Sequence, residues 1–470
     1  MDIASPATAS GNVAPPKENR PRQLDSLTGL RFFAAFFILF AHACDWLAPF
    51  NDNDTIRHYG PVASVYGMPL FFVLSGFVIH YNYGQLFGRT RFRWAALEFF
   101  GARFARLYPL FITCFAVGLI VDCTYQWIQP HPWWWIELVA HFVTMTQSWF
   151  YLIVFDDHRL LMNNAFGLAW SISTEFFFYI CYMGLVFFLL QLRSLRHTIA
   201  AWLIFSIIAF GFFVFVKFHI GHFMQIAKDH IHHFVSTEER WDSSFYRWFF
   251  YYSPYSRIFE FILGCLTAQL YLKTRERPIS RREAQWSYLA LGVALVILLV
   301  IGVLFVMPDA LPRISDYLQF LALNFLCAIP IAVLIFCVSR YDTWVSRFLC
   351  LSQLVALGEI SYSIYSVHTW TLRIFIRDPV NFSSLGLADA IVRIGLGTAV
   401  TLVVATATYR LIEVGGRSWL RRFFDRQTVS LFGLRAANLR VQAPGIASCI
   451  TATVSLCLFL GACLTYQLIR

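Results

Sequence analysis

The sequence predicts an all-α integral membrane protein: a polytopic helical bundle of about ten to eleven transmembrane helices, with its N-terminus in the cytoplasm. Three observations predict it. Hydrophobic residues make up 58% of the chain and charged ones 14%, where soluble domains carry about 45–50% and about 25%. That balance excludes a soluble enzyme and a disordered scaffold. The apolar residues come in runs of about 20, the length a helix needs to cross a bilayer core. They do not alternate over about ten residues as outer-membrane strands do. Lys and Arg sit at the ends of these runs, mostly on one side of the inferred membrane. The net charge of +10 is therefore assigned to orientation and to contact with anionic membrane lipid, not to nucleic acid.

Residues 1–22 are rich in Ala, Ser and Pro and contain no apolar run. They are expected to form a disordered cytoplasmic tail and not a cleaved signal peptide. Residues 23–423 are expected to form the bundle, and 424–470 a cytoplasmic linker and a final extra transmembrane helix. The first run, 30–48, follows Lys17, Arg20 and Arg22 and has Arg31 at its start, and these keep that end in the cytoplasm. Further spans are expected at 62–81, 104–121, 167–191, 198–217, 256–272, 287–307, 317–338, 352–373, 387–409 and 446–468. The stretch 132–152 opens on Pro132, Trp133, Trp134 and Trp135 and holds Glu137 and His141. Were it to cross, the basic segment 410–445 would fall outside, so it is expected to lie on the surface or re-enter. The 11 cysteines form no CxxC or zinc spacing and most lie in apolar runs, where they act as small core residues. The loop 218–255 holds His219, His222, His230, His232 and His233, again without a zinc spacing. No metal site and no tightly bound cofactor are expected.

An ionisable side chain deep in a span calls for a physical reason. His42 lies about 18 Å into the first span at 1.5 Å per residue. Glu175 lies about 12 Å below the outer end of its own span, which is the same level in a core about 30 Å thick. A buried imidazole beside a carboxylate is a general-base pair, because the carboxylate orients the ring and stabilises its charged form. The same spacing also suits a structural hydrogen bond between helices. Arg31, near the inner surface, and Arg103 and Arg106, three apart on one helix face, have guanidinium groups suited to phosphate. Cytoplasmic charge asymmetry is the plainer account of the same three residues. Intramembrane His and Glu also serve as proton relays, which leaves a transporter or flippase as the rival class. No repeat with paired broken helices supports that rival. Trp127, Trp133, Trp134, Trp135 and Trp149 on the outer side suit an interfacial belt or the stacking of sugar rings.

These residues fall into a known pattern. Arg31 and His42, ten residues between them, resemble the arginine–histidine signature of the acyltransferase 3 family of membrane O-acyltransferases. Arg103-Phe-Ala-Arg106 resembles its RxxR motif, and Phe71-Phe-Val-Leu-Ser-Gly-Phe-Val78 its second span. Trp170-Ser-Ile-Ser-Thr-Glu175, then Leu357-Gly-Glu-Ile-Ser-Tyr-Ser-Ile-Tyr-Ser-Val-His368 and Tyr409-Arg-Leu-Ile-Glu413, are similar to its later motifs, in the same order. The chain departs from the pattern at Leu168 and Ala169, where the family often has a histidine, and at Gly415, where it often has proline. Many relatives carry an appended esterase-like domain; this chain is expected to be a stand-alone form.

The resemblance implies transfer of an acyl group, typically acetyl, from acetyl-CoA or another acyl-CoA to a hydroxyl. Acceptors would be a cell-surface or exported polysaccharide or glycolipid, or a small molecule such as a macrolide. The setting would be a bacterial inner membrane, with polysaccharide-synthesis machinery as a partner. Carried onto this chain, it makes His42 the base and Glu175 its orienting partner, both catalytic. Arg31, Arg103 and Arg106 would bind the CoA phosphates. Ser75, Trp170, Ser361, Tyr362 and His368 would contact substrate, the serines, Tyr362 and His368 through oxyanion or acceptor hydrogen bonds.

Overall fold

The computed structural model describes residues 22–47, 54–124, 132–154, 159–306, 312–376 and 386–432. The expected tail over 1–21, Trp127, Cys457, Cys463 and the expected span 446–468 lie outside these residues. In chain order the helices are α1 (Arg22–Leu47), α2 (Asp54–Arg89), α3 (Phe92–Thr124), α4 (Pro132–Val143), α5 (Ala169–Gln191) and α6 (Leu195–Phe218). There follow α7 (Ile220–His230), α8 (Phe245–Arg247), α9 (Pro254–Thr274), α10 (Arg281–Val306), α11 (Pro312–Leu321) and α12 (Ala328–Arg340). The last five are α13 (Trp344–Leu349), α14 (Ser352–Glu359), α15 (Ser361–Ile376), α16 (Leu387–Thr408) and α17 (Val414–Phe432). A two-residue ladder, β1 (Ile153–Val154) on β2 (Arg159–Leu160), is antiparallel.

Among the described residues seven helices are long and apolar enough to cross a membrane, or eight if the bent α11–α12 pair is one span. Eight of the eleven expected spans are among these. The expected span 256–272 is the 21-residue α9, which carries Arg257 and Glu260 inside the protein. The expected span 352–373 does not run as one helix but breaks at Ile360, between α14 and α15. The stretch 132–152 supplies only the 12 residues of α4, about 18 Å of helix and too short for a core of about 30 Å. Met145, at φ 55°, then turns the chain back into the protein.

Helix ends follow local chemistry. Ser194 caps α6 by accepting from the His197 backbone N–H. Pro254 opens α9, where a missing N–H leaves nothing unpaired. Thr343 and Ser346 form a reciprocal capping box on α13. Between α11 and α12 a π-helical turn, Ala322–Leu326, bends the chain by 40°. Pro330, near the start of α12, has no N–H to give back to that turn.

The centre of the bundle is α2 against α9. Gly76 and Gly264 face the opposite backbone there: a Cβ on Gly76 would run into the Phe261 carbonyl, and one on Gly264 into that of Val73. Dispersion and backbone proximity hold helices together in lipid, where burial of apolar surface gives no drive. The polar side chains of the centre are mutually satisfied. The buried His80 ring bonds Tyr182 Oη at 3.0 Å and Gln269 Oε1 at 2.9 Å, joining α2, α5 and α9. Aromatic rings fill the rest, as where Phe178 meets Phe72 at 5.3 Å and Phe261 at 5.0 Å.

Candidate active site

Two cavities meet inside the bundle. A wide vestibule of about 1630 Å³ is lined by His42, Asp45, Trp46, Trp170, Arg247 and Trp370 among others. A narrow chamber of about 90 Å³ is lined by Arg31, Arg103, Arg106, Ser75, Glu175, Ser361 and Tyr362. Met68 and Tyr365 line both. They form the partition between the two spaces.

His42, on α1, is half-buried, and its Nδ1 lies 2.8 Å from Nε2 of His368 on α15. The two rings are nearly parallel, 12° apart. His368 is fully buried, and its Nδ1 lies 2.7 Å from the Tyr365 carbonyl and 3.3 Å from that of Ile364. A carbonyl only accepts, so His368 Nδ1 carries a proton. In the neutral ring Nε2 is then an acceptor, and it takes the hydrogen bond from His42 Nδ1–H. That network leaves the lone pair on Nε2 of His42, the residue of the pair that lines the vestibule. Trp46, one turn on, stacks beside His42 at 6.4 Å, and the Arg373 guanidinium lies over Trp46 at 5.4 Å.

The expected His42–Glu175 pair is not formed. Glu175, on α5, accepts from Ser75 Oγ at 2.5 Å and from Tyr179 Oη at 2.7 Å, and it lines the chamber with the arginines. Depth in the membrane sets the level of a residue but not the direction its helix face points. His368 stands behind His42 and is absent from the lining of both cavities. Tyr362 lines the chamber, but its hydroxyl already donates to the Leu107 carbonyl at 2.8 Å. Trp170 faces the vestibule, packed on Tyr251 and Tyr252 at 5.3 and 5.1 Å.

Arg31 from α1 and Arg103 and Arg106 from α3 all line the chamber. Arg103 is buried, with its guanidinium 4.8 Å from the centre of the Tyr83 ring, and its Nε has no partner. Three residues absent from the sequence-based set belong here. Tyr365 bonds Ser171 Oγ at 2.7 Å and the Leu168 carbonyl at 3.1 Å, which fixes the partition. Its spacing of three from His368 on one helix face was a usable signal. Glu413, buried and bonded to Ser363 Oγ at 3.0 Å, has Arg31, Arg106 and Arg417 as charge neighbours. Arg417 neighbours Arg103 and Arg106. Glu413 ends a π-helical turn, Tyr409–Glu413, and Arg417 follows it one turn on; no local pattern announces that turn.

Elsewhere in the vestibule Lys217 pairs with Asp316 at 2.7 Å, and Arg247 with Asp242. Burial, with Asp316 adding to it, pushes the Tyr246 phenol up to about 12, so it stays a neutral donor. Among the described residues no group of three or more His, Cys, Asp or Glu side chains could hold a metal ion.

The fold and site define a multi-pass membrane protein whose interior joins a histidine pair to an arginine-lined chamber. Residues 24–410 match the acyltransferase domain, and the chain belongs to the acyltransferase 3 family. It is 28% identical over 163 residues to "Acyltransferase MdmB" of Streptomyces mycarofaciens, 34% of this chain and 38% of that protein. It is 23% identical over 396 residues to "O-acetyltransferase OatA" of Staphylococcus aureus, 84% of this chain and 57% of that one. "Protein 2 in picA locus" of Rhizobium radiobacter is 35% identical over 168 residues, 34% of this chain and 80% of that one. The matches thus span well under two thirds of the Streptomyces and Staphylococcus proteins. No solved structure matches the chain.

Proposed function

We propose that the protein is a membrane O-acyltransferase. It takes an acyl group, acetyl in the simplest case, from acyl-CoA and transfers it to a hydroxyl of a polysaccharide or glycolipid. One observation carries this reading: clustered arginines and an uncommitted imidazole nitrogen lie on either side of one partition, Met68 and Tyr365. The names of the Streptomyces and Staphylococcus relatives, an acyltransferase and an O-acetyltransferase, support it. The setting proposed is a bacterial inner membrane, with the arginine end toward the cytoplasmic acyl-CoA and the polysaccharide-synthesis machinery supplying acceptor.

Arg31, Arg103 and Arg106 hold the donor phosphates, and the thioester arm runs through the chamber to the partition. The acceptor hydroxyl stands in the vestibule, whose many aromatic rings suit sugar faces. His42 Nε2 takes the hydroxyl proton as the oxygen attacks the thioester carbonyl. The tetrahedral intermediate then collapses with cleavage of the carbon–sulfur bond. The CoA thiolate leaves and takes the proton back from His42. His368 Nε2, accepting from His42 Nδ1–H, stabilises the imidazolium in between. Glu175 holds Ser75 and Tyr179 and offsets the arginine charge.

The test is acetyl-CoA cleavage by the purified full chain with crude envelope polysaccharide present. His42→Ala is expected to lower the rate by about 10²- to 10⁴-fold. Equal rates in wild type and variant would remove His42 from the chemistry. A wild type that neither cleaves nor binds acyl-CoA would turn the reading toward a transporter or flippase.

A further inference from the structure

The arginine chamber is under-neutralised. Of its lining residues Arg31, Arg103 and Arg106 are cationic and Glu175 is the carboxylate. Arg417 adds a fourth guanidinium beside Arg103 and Arg106, and Glu413 a second carboxylate. In the chamber lining itself three cations, from α1 and α3, face one carboxylate. Arg103 is 7% exposed, and its Nε has no acceptor. A buried guanidinium donor without a partner is unfavourable, and an anionic ligand would satisfy it.

Arg417 is not held there by chance contact. It lies one turn from Glu413, which bonds Ser363, and one turn from Arg421, which bonds Glu98 on α3 at 2.8 Å. Gly416 presses on the Pro109 ring so closely that a Cβ there would collide with it. Phe424 packs on Phe104 at 5.9 Å. These contacts clamp α17 along the helix that carries Arg103 and Arg106. Arg417 itself is exposed and is not among the residues that line the chamber. It lies beyond residue 410, where the match to the family ends.

We infer that Arg417 binds the ribose 3′-phosphate of CoA while Arg31, Arg103 and Arg106 take the diphosphate. This rests on the acyl-CoA reading above. The chamber, at about 90 Å³, is far smaller than the ~300–1,000 Å³ of pockets that enclose drug-sized ligands. A space that small cannot enclose the adenosine. The nucleotide must then stay outside, on the exposed side of the arginine cluster. In CoA the diphosphate lies between the arm and the adenosine, and the 3′-phosphate is the phosphate farthest from the thioester. The arginines that line the chamber meet the first, and the exposed Arg417 meets the second.

The experiment is equilibrium binding of CoA and of dephospho-CoA, which lacks the 3′-phosphate, to the full chain in detergent. Wild type is expected to prefer CoA by about tenfold or more, the weight of one charge-assisted contact. Arg417→Gln is expected to lose that preference while binding dephospho-CoA as wild type does, which also shows that it is folded. Arg417→Lys, which keeps the charge without the planar fork, is expected to retain part of the preference. The assignment is overturned if Arg417→Gln still prefers CoA, if it weakens both ligands equally, or if wild type binds both alike. In each of these cases the acyl-CoA reading survives. A wild type that binds neither ligand overturns that reading and the assignment with it.

Discussion

At the residue scale the site turns on one proton. His368 Nδ1 is tied to its own helix carbonyls, so its Nε2 must accept, and His42 must donate Nδ1–H to it. In the proposed mechanism His368 is thus a positioning residue that sets the tautomer of His42. His368→Ala is expected to lower kcat by about 10- to 100-fold, the usual effect of losing an orienting partner, and to change the pH–rate profile. The KM for acyl-CoA should stay near its wild-type value. A fall in donor affinity with kcat intact would instead place His368 on the substrate. Glu175 gives the complementary case. Its carboxylate accepts from Ser75 and Tyr179 among the arginines. Glu175→Gln is therefore expected to change acyl-CoA binding and leave the pH–rate profile of His42 in place. A shifted profile would restore a direct His–Glu pair.

At the element scale the bundle departs from straight spans where the site is built. π-helical turns at Trp248–Tyr252 and Ala322–Leu326 bring Tyr251, Tyr252, Leu323 and Asn324 to the vestibule wall. Arg257, on α9, ties both turns together. It donates to the Tyr251 carbonyl at 2.9 Å and the Leu323 carbonyl at 2.6 Å, and pairs with Glu260 at 3.0 Å. Arg257 and Glu260 are 1% and 0% exposed. Removing one member leaves a buried charge alone, so Glu260→Ala is expected to destabilise by about 3–5 kcal/mol. Thermal unfolding in detergent measures this, and an unchanged midpoint would show that the pair is not needed. The α2–α9 contact is a second test. Gly76→Ala sets a methyl against the Phe261 carbonyl, which is backbone and cannot rotate away. The expected loss is about 1–3 kcal/mol, in the range of overpacking.

At the scale of the whole molecule, two spaces of unequal width share one wall. The proposed function assigns the wide vestibule, about 1630 Å³, to the acceptor and the narrow chamber, about 90 Å³, to the donor arm. Met68 is 2% exposed and borders both spaces. Met68→Trp should plug the partition: transfer falls at least about tenfold, while CoA binding at the arginines persists. Loss of both together would mean that the two spaces do not act as separate binding regions.

The membrane class, the helical fold and most of the site's members were legible along the chain, because each rests on local information. Run length and composition report solvent, and the spacing of Arg103 and Arg106 reports a shared helix face. Arg31, Ser75, Glu175, Ser361 and Tyr362 were named from the sequence and do line one chamber with those two. Who touches whom was not legible. Depth arithmetic set His42 and Glu175 at one level, but the azimuth of each helix comes from packing, and packing gave His42 to His368. Nor could a run such as 352–373 reveal its break at Ile360, where Gly358 sits too close to the Thr28 carbonyl for any side chain. Arg417 joins the arginines only because a π-helical turn and contacts with Pro109, Phe104 and Glu98 hold its helix along α3. The sequence by itself determined what the chain is made to dissolve in and which charged groups it keeps inside. Tertiary structure alone decided their pairing, because a hydrogen bond depends on ångström distances between helices far apart in sequence, and periodicity carries no such distance.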